Sequence, residues 1–129
     1  MTTIEEANVQ TVLTYIDAYN RKDIAGMVAC LADTVEFENL TDGHVTLKLT
    51  GKTAFQQQAE QAAQLVASRQ QILHERTVAD DVVSASISYQ ATLAVDLPDG
   101  KQAGETLSLT GHSVFVMKDR LIARLTDIS

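Results

Sequence analysis

The sequence predicts an α+β fold, with helices gathered in the first half of the chain and consecutive antiparallel strands in the second. Two periodicities carry this expectation. Apolar residues recur at three- and four-residue spacing in three stretches before about residue 66, and alternate with polar ones from about residue 70 to the end. The connections between the alternating stretches are short turn signals, which suit hairpins and not the long crossovers of a parallel sheet.

The first helix is expected over about residues 4–20, with Val9, Val12, Leu13, Ile16 and Tyr19 on one face. Thr3 followed by Glu6 reads as its capping box, hydroxyl and carboxylate satisfying free N–H groups of the first turn. Asn20-Arg21-Lys22 breaks the helix, and Asp23 caps a second one over about 24–32, burying Ile24, Met27, Val28 and Leu31. The period then becomes two. Val35, Phe37 and Asn39 point one way, and Glu36, Glu38 and Leu40 the other. Asp42-Gly43 supplies the two positive-φ positions of a type I′ hairpin, and the return strand carries Val45, Leu47 and Leu49. After Gly51 a third helix buries Phe55, Ala59, Ala62 and Val66 and turns its glutamines to solvent.

From Gln70 onward only strands are expected. Ile72, His74, Arg76 and Val78 share a face, and Asp80-Asp81 makes the break. Val83, Ala85, Ile87, Tyr89, Ala91, Leu93 and Val95 then oppose a polar face of serines, Gln90 and Thr92. Pro98-Asp99-Gly100 is a turn. The strand over about 104–117 carries Leu107, Leu109, Phe115 and Met117 on one face and Thr110, His112, Val114 and Val116 on the other. Lys118-Asp119 leads into a last strand through Leu121, Ala123 and Leu125. The order is therefore ααββαββββ. Strands apolar on both faces need two covers, helices on one side and a second subunit on the other, so a homodimer is expected.

Composition sets the outer bounds. The 129 residues are 45% hydrophobic and 21% charged, with a single Pro, which suits one folded domain spanning 1–129 and not a disordered chain. Seventeen acidic against ten basic residues give a net charge of −7, which disfavours nucleic acid as a partner. The longest apolar run, Ala25 to Ala32, is far short of the roughly 20 residues that span a bilayer, so no membrane partner is expected. No signal-peptide pattern opens the sequence, and the lone Cys30 permits no internal disulfide, which points to the cytoplasm. The three histidines are dispersed without metal-ligand spacing, and Gly100 and Gly104 belong to a turn and the approach to a strand, not to a phosphate loop. Neither a metal nor another cofactor is expected.

Three stretches add a resemblance. They are Tyr15-Ile-Asp-Ala-Tyr-Asn-Arg-Lys-Asp23-Ile, Leu31-Ala-Asp-Thr-Val-Glu-Phe-Glu-Asn39, and Leu49-Thr-Gly51-Lys-Thr-Ala-Phe55. In this order and spacing the chain resembles the nuclear transport factor 2-like superfamily, in the branch of the SnoaL-like polyketide cyclases and ketosteroid isomerases. The resemblance implies a curved sheet wrapped around the three helices as a cone. It also implies a hollow interior for ligand and an outer sheet face for a dimer. It implies no single reaction, because the superfamily spans isomerases, cyclases, dehydratases, hydrolases and binding modules.

Carried over residue by residue, the resemblance puts Tyr15 where the isomerases have their oxyanion-hole phenol. Asn39 falls where they have an aspartate base, and an amide cannot accept and return a proton. His112 falls near their second acidic donor. If proton transfer occurs, the base is then His112, His74, Glu38 or Asp127, with His112 preferred for its pKa near neutrality. The expected pocket is hydrophobic, lined by Val12, Ile16, Phe37, Phe55 and Val114, with His74 the second histidine near it and Tyr15, Asn39 and His112 converging on one ligand atom. The plainer roles stay open: Tyr15 as a core tyrosine, Asn39 as a strand cap, His112 as an interface residue and His74 as a solvated one. The functions expected are an isomerase- or cyclase-type enzyme acting on a small apolar carbonyl compound, or a non-catalytic binding or dimerisation module.

Overall fold

The computed structural model describes residues 1–129. Helices α1 (Thr3–Asn20) and α2 (Ile24–Ala29) precede strands β1 (Leu31–Thr41) and β2 (His44–Thr50). Helix α3 (Lys52–Leu65) follows, and then strands β3 (Val66–Ala79), β4 (Val82–Leu93), β5 (Thr106–Lys118) and β6 (Leu121–Ile128). The element order is the expected one. All six strands join one sheet in the order β2-β1-β6-β5-β4-β3. Every neighbouring pair is antiparallel except β1 and β6, which run parallel, so the sheet is mixed and not wholly antiparallel. A last strand entering between β1 and β5 is antiparallel to its hairpin partner β5, and that direction makes it parallel to β1.

Local chemistry explains the boundaries. The capping box sits one residue earlier than expected: the Glu5 N–H donates to Thr2 Oγ1 and the Thr2 N–H to Glu5 Oε1. Thr2 is the residue with extended backbone there, as an N-cap must be. Asp23 caps α2 as expected, accepting from the Gly26 N–H at 3.0 Å. Helix α2 stops at Ala29, short of residue 32, because Leu31 is already paired with Ile122 of β6. Val66 likewise leaves the third helix and opens β3, opposite Leu93. Val95 lies beyond the end of β4 and is exposed. Asp42 and Gly43 have φ of 51° and 79°, the left-handed pair a type I′ hairpin needs.

The three helices cover the concave face. A core of 18 buried residues joins Val9, Val12 and Ile16 of α1 to Val35, Val83, Ala85, Phe115, Met117, Ile122 and Leu125 of the sheet. The alternations of β4 and β5 fall as the sequence indicates: Val83, Ala85, Ile87, Ala91 and Leu93 of β4 are buried, and so are Phe115 and Met117 of β5. Those of β6 and β3 do not. A bulge against Val116 and Met117 buries Ile122 in place of Leu121 and Ala123, and a shift between Leu73 and Arg76 leaves Ile72 exposed while Leu73 and Val78 pack on the core. This core thins towards the ends of β1 and β6, where a hollow opens. No helix is long and apolar enough to cross a membrane.

Gly111 marks the narrowest backbone approach in that region. A Cβ there would lie 2.5 Å from the Ile128 carbonyl oxygen, which is backbone and cannot swing aside. Gly111→Ala is therefore expected to cost about 1–3 kcal/mol by forcing β5 and β6 apart. A lowered urea midpoint at unchanged m-value would show it. A midpoint equal to wild type would mean that the two strands part freely.

Candidate functional site

Helix α1 turns two tyrosines toward the hollow, Tyr15 and Tyr19, one helical turn apart. Tyr15 is wedged between Phe55 of α3 and Phe115 of β5, with ring centroids 6.4 and 6.1 Å away. Phe37 of β1 closes the same wall against Phe55 at 5.6 Å. These rings form the floor of a cavity of about 370 Å³. Leu47, Leu109 and Ile128 line it as well, and the last two are exposed large apolar residues. The volume lies in the range of sites for small organic ligands.

The polar side of the cavity comes from one rung of the sheet. Asn39 of β1 is the register partner of Asp127 of β6, which is in turn the partner of Ser113 of β5. Alternation sends all three side chains to the concave face, and all three line the cavity. Ser113 Oγ donates to Asp127 Oδ1 at 2.7 Å and fixes the carboxyl group. Burial pushes the Asp127 acid up from 3.8 to about 6, against the Ser113 hydrogen bond, which favours the ionised form. Burial, and next the negative charge of Asp127, hold the Tyr15 phenol well above its ordinary range. Tyr15 is therefore a hydrogen-bond donor throughout the physiological range, and it stands within the field of the one carboxylate of the cavity.

The opposite side holds a cation. Arg69 of β3 is 7% exposed, and its guanidinium carbon lies 3.7 Å from the centre of the Tyr19 ring. Its Nε donates to the Tyr19 carbonyl at 2.8 Å, at the C-terminal end of α1. Tyr89 of β4 packs edge-on against Tyr19 at 6.4 Å. Burial, then Tyr89, raise the Tyr19 phenol, and Arg69 pulls against both. No group of three or more His, Cys, Asp or Glu side chains is gathered anywhere in the chain as a metal site would need.

Of the residues singled out from the sequence, the fold brings Tyr15, Asn39, Phe37 and Phe55 to the cavity wall. His112 reaches only its rim. It is exposed, and it alternates with the buried Ser113, so its side chain stands on the convex face of β5. Val114 shares that outer face. Val12 and Ile16 are core residues packed below the cavity, on the stripe of α1 that meets the sheet. His74 is exposed on β3, where its Nε2 meets Ser88 Oγ at 2.5 Å. Neither histidine side chain occupies the cavity interior, and of the four candidate bases Asp127 is the carboxyl group that lines it. Tyr19, Arg69, Tyr89 and Ser113 had not been singled out. Asp127, one of the candidate bases, lies two residues after the buried Leu125 and so on the same face. Burial also raises the Cys30 thiol, whose Sγ contacts the Gly26 carbonyl at 3.5 Å. It is therefore a packing group and not a nucleophile.

Residues 12–125 match the SnoaL-like domain, and the chain belongs to that family. Solved structures share the fold. An inferred polyketide cyclase of Xanthomonas campestris pv. campestris is 23% identical with TM-score 0.77, over 98% of this chain and 93% of that one. An inferred SnoaL-like polyketide cyclase of Jannaschia sp. CCS1 is 13% identical with TM-score 0.82, over 98% and 88%. An inferred ketosteroid isomerase of Kribbella flavida DSM 17836 is 18% identical with TM-score 0.72, over 96% and 78%. No curated protein matches the sequence.

The raised Asp127 acid links the site to stability. The native state holds this proton more tightly than the unfolded chain, so between about pH 4 and pH 6 it binds more protons. Stability contributed by Asp127 is thus fully present below about pH 4 and is lost as pH rises through about 6, by up to about 3 kcal/mol. Asp127→Asn removes the titration, so its stability relative to wild type should rise across this interval and level off above it. Urea unfolding of both proteins across the interval checks this. A difference independent of pH would show that Asp127 titrates normally.

Proposed function

We propose that this SnoaL-like domain binds a small, largely apolar carbonyl compound in the cavity and moves a proton on it, as an isomerase- or cyclase-type enzyme. The observation that carries the reading is the pairing of a buried acid titrating near pH 6 with a neutral phenol and an amide facing the same apolar hollow. Asp127, ionised at neutral pH, takes a proton from the carbon next to the carbonyl. Tyr15 donates a hydrogen bond to the oxygen on which negative charge then develops. Asn39 offers a second N–H for the same purpose, with no competing charge beside Asp127. The proton then returns from Asp127 to another carbon, or to the oxygen of a newly closed ring. Such a step needs a base whose pKa lies near the working pH and oxyanion donors placed in advance. It uses side chains alone and calls on no cofactor.

A base of this kind gives kcat/KM that rises with pH through about 6 and then levels off. On a panel of aryl ketones and 1,3-diketones, proton exchange followed by deuterium incorporation provides the assay. Asp127→Asn should lower the exchange rate by about 100-fold or more, and Tyr15→Phe by about 10- to 1000-fold. Binding with unchanged exchange in Asp127→Asn favours the second reading, a ligand-binding module without turnover. The absence of any protein hydrogen bond to the Asn39 side chain supports a binding role in either case.

We also propose a homodimer through the convex face of β4–β6, where His112, Val114 and Val116 stand in a row on β5, in a reducing cytoplasm compatible with the single Cys30. Val114→Arg should move the protein from dimer to monomer in sedimentation equilibrium. A monomeric wild type removes this part of the proposal.

A further inference from the structure

Arg69 is a buried cation with no anion. Its only polar partners are the Tyr19 carbonyl on Nε, at 2.8 Å, and the Met27 sulfur, 3.8 Å from Nη2. None of the ion pairs in the structure includes it. A guanidinium is a planar fork of N–H donors, and the rest of its Nη donors have no acceptor in the protein. Its contact with the Tyr19 ring and the end of α1 compensates part of the desolvation. It does not supply the charge that a buried ion ordinarily requires.

The surroundings hold that fork in place. Asn20 clamps the backbone of Gln71 through two hydrogen bonds, accepting from its N–H at 2.7 Å and donating to its carbonyl at 3.1 Å. Lys22 Nζ donates to the carbonyls of Val66 and Ala67. The start of β3 is thus tied on both sides of Arg69 to the end of α1. Arg69 lines the main cavity and also a separate polar groove bordered by Ser68, Gln70, Gln90 and Thr106, so it stands between the two. It is the only Lys or Arg side chain lining the cavity. Asp127, across the same space, is the only acidic one.

We infer that the ligand of the cavity carries a single carboxylate, seated on Arg69, at the end opposite the carbonyl group that meets Asp127 and Tyr15. One cation matches one negative charge. A planar fork matches a carboxylate, whose two oxygens it can engage together. A phosphate would bring more charge than one guanidinium neutralises. The substrate class is therefore an aryl or alicyclic keto acid, oriented by its acid so that its carbonyl end faces the base. This rests on the cavity being the ligand site proposed above, and it does not depend on turnover.

The test pairs each carboxylate with its own methyl ester, which keeps the apolar body and removes the charge. The probes are 2-naphthoate, 4-biphenylcarboxylate and 3-benzoylpropionate with their esters, titrated calorimetrically into the full chain at neutral pH. Wild type should bind the acids about tenfold or more tightly than the esters. Arg69→Gln should bring the ratio close to one by weakening the acids alone, and Arg69→Lys should keep part of it. The preference in wild type already decides the matter if Arg69→Gln fails to fold. Esters binding as well as acids in wild type would overturn the inference while leaving the cavity a ligand site. Failure of every acid and ester to bind would instead remove the cavity reading itself, and the carboxylate with it.

Discussion

The parallel pairing of β1 with β6 is the constraint on which the rest of the structure depends. It joins the first strand of the chain to the last, Leu31 to Ile122 and Asn39 to Asp127. Without it the sheet divides into the β1–β2 hairpin and the β3–β6 meander. The helices would then have no single concave surface to fill. The contact is strongly non-local, and the loop entropy of closing it must be met before its side chains contribute. The core packed on that seam meets the cost: Leu31, Val35, Ile122 and Leu125 are all essentially inaccessible to solvent. The same seam brings Asn39, Asp127 and Ser113 into one rung. The strongest structural commitment of the fold and the polar side of its cavity are therefore the same interaction.

Around that rung the protein departs from what stability alone would select. A carboxyl group whose acid is raised to about 6, a guanidinium without a counter-ion and a phenol without a hydrogen-bond partner all border one hollow. Each opens onto the hollow, where a polar group takes the place of apolar packing. Their separation gives the cavity a polarity. The carboxyl group is on β6 and the cation on β3, three strands apart in the sheet, with aromatic rings of α1, α3 and β1 lining the same cavity. Asn8 has its amide oxygen buried without a partner as well, but it lies in α1 away from the cavity walls and no partner group approaches it.

Periodicity made the fold legible. Every element appears in the predicted order, and the concave face of β4 could be named residue by residue, because a two-sided sheet leaves an alternation that only one register satisfies. Periodicity put Phe37 and Phe55 on buried faces, whereas Tyr15 and Asn39 were named through the resemblance to the ketosteroid isomerases. His112 was favoured for its pKa, although its own strand already placed it with Thr110 and Val114, opposite Phe115 and Met117. Side-chain chemistry outweighed parity there, and parity decides. Arg69 was hidden for a different reason. The sequence pattern carries the third helix to Val66 and starts the next strand at Gln70, so Arg69 falls between them, in a stretch where no period applies. The helix–strand junction without a loop at Leu65 and Val66 leaves no glycine, proline or cap to mark it.

The seam sets an amide against an acid, Asn39 opposite Asp127, and Asp127 is the one carboxyl group lining the cavity. Where the isomerase pattern has an aspartate, this chain has Asn39, and its carboxylate stands one strand over. Register partners on adjacent strands are about 5 Å apart. Two carboxyl groups at that distance in a low dielectric would share a proton and split their titration, one of them becoming too weak an acid to ionise near neutrality. With an amide at Asn39, Asp127 titrates alone. Ser113 lowers its acid and burial raises it, and the balance falls near pH 6 and not far above. Asn39 still contributes N–H groups that a carboxylate would lack. With the charge on β6 and none on β1, the cavity holds one carboxyl group able to ionise near neutrality, set beside two neutral donors.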